Sequence, residues 1–92
     1  MIFNWNEEKN QLLINERGVS FEMVVAKIAK GEIIDTYRHP NNEKYPNQFI
    51  FVVELNDYFY CVPFIKQDDV IFLKTIFPSR KATKIYRGNQ DE

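Results

Sequence analysis

The side chains able to do chemistry fall into two groups. The first is a run of cations near the C-terminus: Lys74, Arg80, Lys81, Lys84 and Arg87, with no Asp or Glu between Val70 and Gln90. On a helix Arg80, Lys84 and Arg87 stand at i, i+4 and i+7 and share one face, with Lys81 beside it, while Ala82, Ile85 and Tyr86 lie toward the other side. Clustered guanidinium and ammonium groups neutralise phosphate charge, so this helix reads as a phosphate-binding edge. The second group is Tyr37-Arg38-His39-Pro40, leading to Lys44-Tyr45. His39 is the only histidine, and imidazole is the side chain whose ordinary pKa lies nearest neutrality. A solvated basic helix and an ordinary surface loop are the plain alternatives.

Together the two groups hold imidazole, phenol, ammonium and guanidinium. That set suits RNA cleavage in which the 2′-hydroxyl of the RNA attacks its own phosphate. The protein then supplies a base, an acid and cations for the charged transition state. His39 is the local candidate to move a proton, and Lys44, Tyr45, Lys81, Lys84 and Arg87 are candidates to hold the RNA. Zinc needs about four Cys or His ligands, and this chain has one of each, so no metal site and no cofactor is expected. The three glycines are scattered, which excludes a phosphate-binding glycine loop. Cys61 reads as a small apolar core residue, with Lys74 as its candidate cationic neighbour. Ser20 and Ser79 fit helix caps.

Composition bounds these readings. The chain has 92 residues, 45% hydrophobic and 15% aromatic, with a net charge of −1. Length supports one domain over residues 1–92, and the aromatic and aliphatic content excludes a disordered chain. The near-neutral total averages unlike parts. Residues 1–65 carry six bases and nine acids, whereas residues 66–92 carry six bases and four acids. One cysteine excludes an intrachain disulfide and points to a reducing, cytoplasmic compartment. No apolar run approaches the ~20 residues of a membrane span.

The elements that must position these groups follow from period and punctuation. Met1 to Trp5 predicts a short strand. Asn6 predicts a helix cap, with Glu7 and Glu8 in the first turn and a stop at Gly18. Ser20 predicts a second cap, and Phe21, Val24, Val25 and Ile28 form one apolar helix face ending near Gly31. The period then becomes two. Strands are expected over 33–38, 48–55, 58–64 and 70–77, with a loop from His39 to Pro46. Asn56-Asp57 predicts a tight hairpin. Residues 66–69 form a second turn, and a short helix runs from Pro78-Ser79 to about Tyr86. The order β-α-α-β-β-β-β-α is an α+β fold with an antiparallel sheet of about four strands.

The hairpin pairs Phe49 with Phe64, Phe51 with Val62, Val53 with Tyr60 and Leu55 with Tyr58, all on one side. Ile71, Leu73 and Phe77 join them if the next turn has four residues. The two N-terminal helices should cover that side. The other side shows Gln48, Ile50, Val52, Glu54, Phe59, Cys61, Phe72, Lys74 and Ile76. It is too apolar for a solvated face, so the C-terminal helix, a second copy or a partner covers it.

The stretch from Phe3-Asn4-Trp5-Asn6-Glu7-Glu8-Lys9-Asn10 to Gly18-Val19-Ser20-Phe21-Glu22 resembles the opening of the BrnT family of bacterial type II toxins. Ser79-Arg80-Lys81-Ala82 and the later Tyr86 resemble that family's closing motif. The segment from His39 to Gln48 departs from the family pattern. The resemblance implies a RelE-like fold and a metal-free mRNA interferase that inhibits translation, with mRNA, free or on the ribosome, as its target. It carries Arg80 and Tyr86 over as active-site candidates. It also implies a cognate antitoxin, usually a ribbon-helix-helix protein, through which operator DNA would be bound. The alternative is a non-catalytic RelE-fold binding protein, or a decayed toxin acting only through that complex.

Overall fold

The computed structural model describes residues 1–88. The last four residues, including Asp91 and Glu92 of the charge count, lie outside the described residues. After a short strand β1 (Ile2–Asn4), the side chain of Asn6 accepts the Lys9 amide and starts α1 (Glu7–Arg17). Gly18 ends that helix at φ 67°, a left-handed conformation that costs a glycine little. Ser20 accepts the Met23 amide and starts α2 (Phe21–Ala29). Between the two helices Asn10, fully buried, accepts the Phe21 amide at 2.8 Å and donates to Glu22 at 2.8 Å. One side chain thus satisfies a buried donor and locks the two helix starts together.

Five further strands and a helix follow: β2 (Asp35–Arg38), β3 (Gln48–Leu55), β4 (Tyr58–Gln67), β5 (Val70–Leu73), the two-residue β6 (Phe77–Pro78), and α3 (Arg80–Gly88). Asn56 and Asp57 both take positive φ, 52° and 66°, and the four expected β3–β4 facing pairs are present. The fold is α+β, as the element pattern predicts. The sheet is not the expected four-stranded antiparallel one. It has six strands in the order β1-β5-β4-β3-β2, with β6 also on β4, and β1 lies parallel to β5.

The last stretch also differs from expectation. The second turn is two residues long, with Gln67 opposite Val70. That moves the register by two, so Ile71 and Leu73 stay on the expected side. The strand then breaks after Leu73 and resumes at Phe77, opposite Cys61. Phe77 therefore lies on the Cys61 side, 38% exposed, and Ile76 turns into the core at 0%. These two residues exchange the faces that unbroken alternation predicts. Pro63 stands where β5 leaves β4 and before β6 begins, so its missing N–H costs no ladder bond.

Two apolar layers result. On one side Leu13, Val19, Phe21 and Val24 pack onto Phe51, Val53, Leu55, Val62, Phe64, Ile71 and Leu73. Each such fully buried side chain contributes about 1.5–3 kcal/mol. On the other side Ala82 and Tyr86 of α3 pack onto Ile50, Val52, Phe59 and Cys61. Of the three candidate covers for this face, α3 supplies the one observed there. No helix among the described residues is long and apolar enough to cross a membrane.

Candidate functional site

Position on the sheet begins with Phe59. Its outward amide donates to Thr83 Oγ1 at 3.3 Å and its carbonyl accepts the Ser79 amide at 2.9 Å. Ser79 Oγ accepts the Ala82 amide at 3.0 Å, so the expected serine cap is present. These bonds fix where α3 begins, and its sequence sets which side faces the sheet. Ala82 is buried, and the Tyr86 ring lies 5.9 Å from that of Phe59. Arg80, Lys81 and Lys84 are left on the exposed side, with no ion-pair partner among the described residues.

Arg87 does not stay with them. It forms a 2.7 Å ion pair with Glu54 of β3 and sits over the Phe59 ring at 5.4 Å. Ile85, expected on the side of the helix away from the cations, is 47% exposed and lines a cleft with Ala82 and Tyr86.

That cleft, about 300 Å³, separates α3 from the edge of the sheet. Tyr37, Pro40, Val52 and Cys61 line one side, and Ser79, Lys81, Ala82, Ile85 and Tyr86 the other. The Tyr86 hydroxyl donates to Asp35 Oδ2 at 2.7 Å. That bond, with some burial and the carboxylate charge, holds the Tyr86 phenol above its ordinary pKa of 10.0. Tyr37 is raised too, by burial first, then by the Cys61 thiol, Tyr86 and Asp35. Both phenols are protonated at neutral pH. Asp35 Oδ1 accepts the Thr36 amide at 2.8 Å.

The loop residues form a separate cluster. His39 and Tyr45 rings lie 4.6 Å apart, and Lys44 Nζ sits 5.4 Å from the Tyr45 centroid. His39 Nδ1 accepts the Asn41 amide at 3.0 Å, which places the proton of the neutral imidazole on Nε2. The Nε2–H of His39 is then a hydrogen-bond donor, and His39 is not among the residues lining the cleft.

Of the residues singled out by sequence, the structure brings Lys81 and Tyr86 to one cleft and sets Arg80 and Lys84 on the same helix. His39, Lys44 and Tyr45 stay in the loop. Asp35 is a functional candidate that sequence reading missed, and Tyr37, grouped by sequence with the His39 loop, lies instead at the cleft. Their i, i+2 spacing was a usable signal, since it puts both on one face of β2. That face was assignable only with the observed register of Asp35 on Val52 and Tyr37 on Ile50. Lys74, expected beside Cys61, instead pairs its amide with the Pro63 carbonyl, and the neighbour of the thiol is Tyr37. Among the described residues no three His, Cys, Asp or Glu side chains are grouped to hold a metal ion. No protein-family profile, curated protein or solved structure matches the chain.

Proposed function

We propose that this chain is the toxin of a type II toxin–antitoxin pair, with a RelE-like fold of the BrnT kind, and that it cleaves mRNA and so inhibits translation. The observation that carries the reading is the juxtaposition on α3. Three exposed cations without acidic partners, Arg80, Lys81 and Lys84, flank a cleft holding a carboxylate-bound phenol. The cations hold the RNA phosphates, and Arg80 stabilises the charge that builds on the reacting phosphorus oxygens. The 2′-oxygen bonds to phosphorus and gives its proton to the Asp35 carboxylate. The bond from phosphorus to the 5′-oxygen breaks, and Tyr86 protonates the departing oxygen. The existing Tyr86–Asp35 hydrogen bond then returns the proton from Asp35 to Tyr86. The partner in this reading is a ribbon-helix-helix antitoxin, and operator DNA is bound only through it.

A second reading, a RelE-fold binding protein that does not cleave, is favoured by the prior engagement of Arg87 with Glu54 and by the place of His39 away from the cleft. Expression of the chain alone in bacteria separates the two. Growth arrest with cleaved transcripts, lost in Arg80→Ala, is expected from the toxin. Arrest with intact transcripts favours the second reading, and normal growth at high soluble expression overturns the first.

A further inference from the structure

The helices do not cover the whole of the core side of the sheet. Beyond the end of α2 an open slot of about 360 Å³ remains, lined by Met1, Ile28, Thr36, Phe49, Phe51, Phe64, Lys66 and Ile71. Three phenylalanines make its floor: Phe64 stacks on Phe51 at 4.0 Å and on Phe49 at 5.5 Å between ring centroids. This volume is at the lower end of the roughly 300–1,000 Å³ of ligand sites, and it suits one large apolar side chain.

The Met1 ammonium at the rim of the slot is already paired with Asp69 at 3.5 Å, and two further cations stand there. Lys66 lies in its wall, and the Arg38 guanidinium sits over Phe49 at 5.8 Å. Neither has an acidic partner among the described residues, and no carboxylate lines the slot. The two cations come from different strands, β4 and β2, so they stand apart rather than converging on a single point. One carboxylate ligand would satisfy one of them. A chain with carboxylates on either side of an apolar anchor satisfies both. Addition of a strand along β2 is a weaker alternative, because Asp35 already occupies the Thr36 amide.

We infer that this slot is a docking site for an acidic segment of a partner protein, in which one aromatic or leucine side chain packs on the phenylalanine floor while flanking Asp or Glu residues meet Lys66 and Arg38. The slot is on the face of the sheet opposite α3, so the inference stands independently of the RNA reading.

The test is selection of a displayed random-peptide library on the full chain, followed by fluorescence anisotropy with the enriched peptides. Peptides with one large apolar residue flanked by acids are expected. Their affinity should fall at least tenfold in Lys66→Glu. It should also fall in Thr36→Trp, which fills the slot from an exposed strand position without removing a core side chain. Replacing the peptide's acids with lysine should restore binding to Lys66→Glu. Melting curves of both variants establish that they fold. Three results would overturn the inference: no enrichment, enriched peptides that bind both variants unchanged, or concentration-dependent dimerisation abolished by Thr36→Trp, which would assign the slot to a second copy.

Discussion

Replacing Tyr86 by Phe deletes one oxygen and separates a chemical role from a structural one. The ring keeps its contact with Phe59, and only the 2.7 Å bond to Asp35 is lost. A hydrogen bond to a charged group contributes about 1.5–3 kcal/mol when sheltered. Asp35 is exposed and Tyr86 only half-buried, so solvent screening brings this one to about 1 kcal/mol or less. At about 4–8 °C per kcal/mol for a domain of this size, the melting temperature falls by no more than about 8 °C. Loss of a general acid costs about 10²–10⁴-fold in rate, or about 2.7–5.5 kcal/mol of barrier. The two effects are far enough apart to be read from one protein preparation. The assay is cleavage of a defined transcript in a translation-coupled reaction, with a circular-dichroism melt of the same sample. Asp35→Asn should lower cleavage as well, and the double variant should be little worse than the poorer single one, because both act on one proton. Cleavage within threefold of the parent, together with the expected small loss in melting temperature, would show that the phenol is a strut and would refute the proton-transfer argument.

Asn10→Ala leaves the buried Phe21 amide without an acceptor and removes the donor to Glu22; urea unfolding should show a loss of about 2–3 kcal/mol. Arg80→Ala and Lys84→Ala should each lower the logarithmic salt slope of single-stranded RNA binding by about 0.7, whereas Arg87→Ala, already paired with Glu54, should barely change it. The Tyr86 and Tyr37 phenols are raised above 10.0 in the folded chain, so their contribution to stability is fully present below that pH and is lost as pH rises through the folded values; tyrosinate absorbance should appear later in the folded protein than in urea. Glu7 is lowered below 4.5 by Gln11, Asn10 and Trp5, so its contribution is present above that pH and fades on acidification, an effect that Glu7→Gln should remove from an acid titration of the melting temperature.

Local chemistry made much of the fold legible. Asn6, Gly18 and Ser20 bound the helices because each satisfies a backbone need that few other residues meet. Asn56-Asp57 set the central register because both residues tolerate positive φ. The failures are non-local. A three-residue strand such as Ile2–Asn4 carries no mark of which edge it will join, and its parallel place beside β5 depends on the whole sheet. The break after Leu73 shifts alternation by one residue, and the apolar composition of Ile76 and Phe77 permits either to face inward. The candidate site suffered in the same way. The basic helix was visible from charge alone, but its neighbours Asp35 and Tyr37 reach it across a nine-residue gap between β2 and β3 whose length fixes no register.

The parallel pairing of β1 with β5 bears on the order of events during synthesis. Ile2 leaves the ribosome long before its partner strand, which begins only at Val70. Both helices can form early, from local signals, but their apolar faces have no completed sheet to rest on until β3, β4 and β5 have emerged. Chain closure of this range is slow, and a nascent chain with exposed phenylalanines is prone to association. These elements thus lack a finished core until Leu73 has emerged, and α3, with its cations, docks after the strands that receive it.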